Sequence, residues 1–112
     1  MLPFYGRRLS RNTNSYELEN LSNNKFFFDE GDFKLLKKIP KSKSISINLE
    51  IGFGTGENLI FQSQKFKKEI FLACDPFLSG CLKLKRNIER FELNNILFTN
   101  LDYLRLYELA KE

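Results

Sequence analysis

The stretch that most limits the fold is "LEIGFGTGENLI", Leu49 to Ile60. It follows a run in which Ile45, Ile47, Leu49 and Ile51 alternate with Ser46, Asn48 and Glu50. Alternation with period two is the pattern of a β-strand. The strand ends in Glu50 and then spends Gly52, Gly54 and Gly56 within five residues. Glycine costs more backbone entropy on folding than any other residue, so three together require a reason. A tight turn with a bare backbone, leading from a strand into a helix, supplies one. The residues after it, "GENLIFQSQKF", predict a helix from about 57 to 66.

The same alternation of elements continues. "IFLACD" is a second short apolar run and ends in Asp75. From Phe77 to Leu93, Phe77, Cys81, Leu84, Ile88 and Phe91 recur at spacings of four and three, which predicts an amphipathic helix. "NILFTN" predicts a third strand and "YLRLYELAK" a third helix. The order β-α-β-α-β-α predicts an α/β protein with a parallel sheet covered by helices. Upstream, Asp32 is placed to cap a short helix from Phe33 to Ile39, ahead of Pro40. Residues 1–15 predict a basic, flexible arm, 16–44 a helical extension and linker, and 45–112 the sheet domain.

Composition narrows the function classes. The 112 residues make a single domain, and 42% of them are apolar. No apolar run approaches the roughly 20 residues of a membrane span, and no secretory signal opens the chain. Cys74 and Cys81 lie in apolar segments and are expected as reduced core residues of a cytoplasmic protein. Their spacing is not that of a metal site, and the chain has no histidine, so no metal is expected. A net charge of +4 favours an anionic partner.

The glycine spacing is E-x-G-x-G-x-G. A dinucleotide fingerprint, G-x-G-x-x-G, would need a glycine where this chain has Glu57. A carboxylate in the first helical turn also repels a pyrophosphate seated on a helix N-terminus. S-adenosylmethionine carries an ammonium and a sulfonium and no phosphate, so acids beside the loop suit it. Asp75, 25 residues after Glu50 at the end of the second strand, stands where a carboxylate accepts from ribose hydroxyls. The same residues also fit a plain glycine turn in which Asp75, followed by Pro76, caps the next helix.

"LEIGFGTGENLI", "DPFLSGCLKLKRNIE" and "NILFTNLDYLRLY", with the basic leader "FYGRRLSR", resemble successive blocks of the bacterial tRNA (guanine-N7)-methyltransferase family. The resemblance covers most of the chain. It implies a Rossmann-like class I methyltransferase fold, truncated after about three parallel strands and preceded by a basic arm. It implies S-adenosylmethionine as cofactor, held by Glu50, Gly52, Gly54, Gly56, Asp75 and Asp102, and tRNA as partner, contacted by Arg7, Arg8 and Arg11. The implied reaction is methyl transfer to N7 of the variable-loop guanine. Where the family shows an alanine after its third acid, this chain has Tyr103.

The family continues into a Pro-Asp-Pro-Trp block near the transfer site, whereas this chain has no tryptophan and only Pro3, Pro40 and Pro76. The chain therefore corresponds to the cofactor half, and the catalytic residues are expected in a C-terminal half outside it. Removal of the later strands would make the first strand an edge, so self-association or a complementary C-terminal partner is expected. Another methyltransferase substrate, or a non-catalytic RNA- or partner-binding remnant, are the alternative functions.

Overall fold

The structure is a computed structural model that describes residues 24–36 and 46–112. The arm at 1–15, with Arg7, Arg8 and Arg11, lies outside the described residues. The elements run α1 (Glu30–Leu36), β1 (Ile47–Ile51), α2 (Glu57–Lys65), β2 (Ile70–Cys74), α3 (Leu78–Arg90), β3 (Ile96–Thr99) and α4 (Tyr103–Lys111). All three strands are parallel, in the order β1-β2-β3. This is the α/β, Rossmann-like arrangement that the sequence predicts, with three strands among the described residues.

Strand register divides the side chains between two faces. On β2, Phe71 and Ala73 point to one side, where they meet Leu59 and Ile60 of α2 and Leu78, Cys81, Leu84 and Ile88 of α3. Ile96 and Phe98 of β3, with Phe27 and Phe53, complete this main core. Leu72 and Cys74 point to the other side, towards Phe33 of α1, Leu106 of α4, Leu101 just before that helix, and Phe28. Each buried leucine or isoleucine contributes roughly 1.5–3 kcal/mol by leaving water, so the main core holds the fold.

Two helix boundaries differ from the sequence expectation. The first helix begins at Glu30, and Asp29 rather than Asp32 caps it. Asp29 Oδ1 accepts from the Asp32 N–H at 2.8 Å, and Asp32 Oδ2 accepts from the Asp29 N–H at 3.1 Å. This reciprocal pair satisfies two N–H groups at once, which moves the start three residues upstream. Residues 37–39, also expected as helix, lie outside the described residues. Helix α3 stops at Arg90 instead of Leu93. Glu92 takes a left-handed φ of 52°. The Leu93 N–H donates to the Ile88 carbonyl at 3.0 Å and the Glu92 N–H to the Glu89 carbonyl at 3.2 Å. That pair of bonds is a Schellman ending, which closes the helix while Leu93 folds onto the core beside Ile88. Phe91, expected on the buried stripe, is consequently exposed by 44%.

The segment before α1 extends the sheet. Phe27 bridges to Phe98 in parallel, the Phe28 N–H donates to the Phe98 carbonyl at 2.9 Å, and the Phe98 N–H donates to the Phe26 carbonyl at 2.9 Å. A bidentate ion pair then ties α1 to α4, with Arg105 Nε 2.8 Å and Nη2 2.7 Å from the two Glu30 oxygens. At the amino ends of the strands, buried Asn95 uses its amide to bond the carbonyls of Ser63, Phe66 and Glu69 at 3.0–3.2 Å. No helix among the described residues is long and apolar enough to cross a membrane.

Candidate cofactor-binding site

Parallel strands send their carboxyl ends, and the loops that follow, to one side of the sheet. That side gathers Glu50 from β1, Asp75 one residue beyond β2 and Asp102 three residues beyond β3. The glycine loop lies among them. Gly52, Gly54 and Gly56 have φ of 73°, 64° and 89°, all in the left-handed region that side chains strain to enter. A methyl group on Gly52 or Gly54 would meet nothing within 4 Å, so the loop presents bare backbone to open space. Gly56 is different. It caps α2, and a methyl there would come within 2.8 Å of Leu84 on α3.

The three acids are held in different ways. Glu50 is half-buried, and Asn58 of α2 donates to its Oε1 at 3.3 Å. Asp75 is only 5% exposed. Its Oδ2 accepts from the Gly54 N–H at 2.9 Å and its Oδ1 from the Phe77 N–H at 3.0 Å. Asp102 is exposed and caps α4, its Oδ1 accepting from the Arg105 N–H at 2.8 Å. Glu57, in the first turn of α2, is bonded by the Thr55 hydroxyl, which holds its carboxyl below the usual range. All six residues expected at the site stand on or beside this end of the sheet.

Two neighbours were not singled out by the sequence. Asn58 steadies Glu50. Gly80, buried in the first turn of α3, lies so close beneath the loop that a methyl group would overlap the Gly54 carbonyl oxygen. The signal for Gly80 was present, because glycine inside a helix costs about 1 kcal/mol relative to alanine and so marks a close approach. Cys74 and Cys81 are both free and buried. Burial pushes the Cys74 thiol up to about 11 and the Cys81 thiol higher still, so neither is a nucleophile at neutral pH. Among the described residues, no group of three or more Cys, Asp or Glu is placed to hold a metal ion. A hollow beside Ser63, Lys67, Phe91 and Asn95 lies at the opposite end of the sheet from the three acids.

Open bare backbone flanked by carboxylates fits a cationic, phosphate-free nucleoside. Glu50 is half-buried and Asp102 exposed, whereas both Asp75 oxygens already accept a backbone N–H.

A family model described as "Putative methyltransferase" matches residues 44–110. The chain belongs to this family, that of the tRNA (guanine-N7)-methyltransferases. The tRNA (guanine-N(7)-)-methyltransferase of Neorickettsia sennetsu is 30% identical over 104 residues, which are 93% of this chain and 44% of that protein. The protein of the same name from Rhodopseudomonas palustris is 32% identical over 97 residues, 83% of this chain and 39% of that protein. That of Wolbachia pipientis wMel is 40% identical over 62 residues, 55% of this chain and 28% of that protein. The chain thus spans less than half the length of these curated relatives.

Proposed function

We propose that the chain is the S-adenosylmethionine-binding portion of a tRNA (guanine-N7)-methyltransferase acting in the cytoplasm. The observation that carries this reading is the run of three left-handed glycines, two of which, Gly52 and Gly54, open onto free space between strand-end carboxylates, within the segment that the family model matches. When bound, S-adenosylmethionine supplies a sulfonium methyl group as electrophile. Gly52 and Gly54 give backbone access, Gly56 turns the loop into α2, Glu50 and Asp102 offer carboxylates to the cationic and hydroxyl groups, and Asp75 shapes the loop and adds an acceptor. Guanine N7 has its own lone pair, so no general base is required and the lack of histidine is no obstacle. Positioning alone can supply roughly 7–11 kcal/mol in favourable cases. Arg7, Arg8 and Arg11 are assigned to tRNA phosphates, contacts that weaken as salt rises.

The reading includes a complementary C-terminal segment, with guanine-positioning residues, seated on the edge of β1 that no described residue pairs with. Crossover handedness supports this placement. Helices α2 and α3 carry the chain from β1 to β2 to β3 across one face, and α4 leaves β3 on the opposite face. A right-handed crossover on that opposite face runs the other way, back past β2 to the side of β1 that no described residue pairs with.

The test is a tRNA methylation assay with the purified chain alone and mixed with the C-terminal half of the Neorickettsia relative. N7-methylguanine is expected only in the mixture, and calorimetry should record S-adenosylhomocysteine binding to the chain by itself. Absence of heat on folded protein would refute the cofactor assignment. Transfer by the chain alone would refute the need for a second half.

A further inference from the structure

We propose that Asp75 and Gly80 form a clamp on Gly54 that fixes the shape of the glycine loop. The inference rests on the cofactor reading above and makes Asp75 a positioning residue that acts through the loop. Gly54 is gripped on both of its peptide groups. Its N–H donates to Asp75 Oδ2 at 2.9 Å, and its carbonyl oxygen lies against the bare Cα of Gly80. The clamp is itself anchored. The Asp75 N–H donates to the Thr99 carbonyl at 3.1 Å, its Oδ1 holds the Phe77 N–H at 3.0 Å, and Phe77 leads directly into α3. The carboxylate is therefore oriented by β3 and by the turn into α3 and is aimed at the loop.

Both parts of the clamp answer a physical need. A loop with glycine at three alternate positions samples many conformations unless something outside it selects one. Binding is strengthened when that ordering is completed before the ligand arrives. A carboxylate accepting a backbone N–H makes a charge-assisted bond, stronger than a neutral one, and here it is shielded from water. Gly80 accounts for the remaining contact. Any side chain at its place in the first turn of α3 would push the Gly54 carbonyl away and drag its N–H from Asp75. Both Asp75 oxygens already accept a backbone N–H, so a ribose hydroxyl would share a carboxylate that is committed to the loop.

The experiment measures amide hydrogen exchange at Gly54 in the ligand-free full chain, with the Phe98 amide in β3 as a reference, and titrates S-adenosylhomocysteine by calorimetry. Gly80→Ala leaves every carboxylate in place. It is expected to speed Gly54 exchange at least tenfold, leave Phe98 protected, and weaken nucleoside binding about tenfold. Asp75→Asn, the isosteric variant, keeps only one acceptor oxygen and is expected to loosen Gly54 in the same direction, which secures the test should Gly80→Ala fail to fold. Unchanged Gly54 exchange in both variants overturns the clamp. Weakened binding in Asp75→Asn with wild-type exchange at Gly54 also overturns it, because Asp75 would then act on the ligand alone. If the wild-type chain binds no nucleoside while Gly54 still loosens in Gly80→Ala, the clamp stands and the cofactor reading falls.

Discussion

The sheet has two edges, and they are finished differently. Beside β3, Phe26 to Phe28 supply hydrogen bonds to the strand, Phe27 packs edge-on against Phe98 at 5.5 Å between ring centres, and α1 docks on α4 through Glu30 and Arg105. Beside β1, no described residue pairs with the outer side of the strand. Its polar residues face the covered side, where Asn48 bonds Glu69 at 2.8 Å and Glu50 bonds Asn58. Its apolar row, Ile47, Leu49 and Ile51, is 51–55% exposed. A strand that turns isoleucine and leucine outward is stable only because its other neighbour, β2, holds it. The open row marks the side on which this sheet still has surface to bury.

If the β3 edge is closed by packing, its aromatic contact should be the costliest to remove. Phe98→Ala deletes a fully buried ring that touches both Phe27 and Phe53. The expected loss is about 3–5 kcal/mol, enough to unfold much of a marginal domain, and urea denaturation would measure it. A loss below about 1 kcal/mol would mean that Phe26–Phe28 merely rests on the sheet. Asp29→Ala tests the same edge more gently. It removes the acceptor for the Asp32 N–H at the start of α1, and roughly 1 kcal/mol is expected. Equal stability of variant and wild type would show that α1 is held by α4 alone.

The open edge should respond in the opposite sense. Leu49→Lys places a charge in the middle of the exposed row and should change the stability of the isolated chain by no more than about 0.5 kcal/mol. It should nevertheless abolish any association that light scattering detects in the wild type, and any gain from a complementary C-terminal half. Should Leu49→Lys destabilise the chain by several kcal/mol, the row is covered and the contrast between the edges fails.

Much of this was legible in the sequence. Period-two alternation located β1, helical spacing located α3, and short runs between and after them placed β2, β3, α2 and α4 to within a few residues, while the glycine spacing placed the loop. The features that escaped share a cause, which is that they depend on a partner distant in the chain. "NKFFFDE" is too short and too uniformly aromatic to show a period, so nothing in it announced pairing with β3, some 70 residues on. The alternation in β1 gave the strand and its two faces, but which face is covered is decided by the crossovers. Glu92 ends α3 in a conformation usually given to glycine, so the stop carried no local mark. The position of Asp75 at a strand end was legible. Its two bonds to Gly54 and Phe77 were not, because they follow from the turn bringing loop and helix together.

The smallest expected effect concerns the ion pair that completes the closed edge. Arg105 donates two hydrogen bonds to Glu30 and thereby holds the Glu30 carboxyl below its usual value of 4.5. The same contact pushes the Arg105 guanidinium further above its already high value, so the pH dependence of the pair belongs to Glu30. A carboxyl with a lowered value in the folded state binds its proton more readily when unfolded. Its stabilising contribution is therefore complete at pH well above 4.5 and is lost as pH falls through the folded-state value. Both side chains are more than a third exposed, so the contribution is small and is reduced further by salt. Glu30→Gln should lower the Tm slightly at pH 7 in low salt. The difference from wild type should shrink on acidification below pH 4.5 and also on addition of salt at pH 7. Thermal scans of both proteins across that pH range provide the measurement. A difference that is independent of pH and salt would assign the docking of α1 on α4 to Phe33 and its apolar neighbours, and the closed edge would then be held by packing alone.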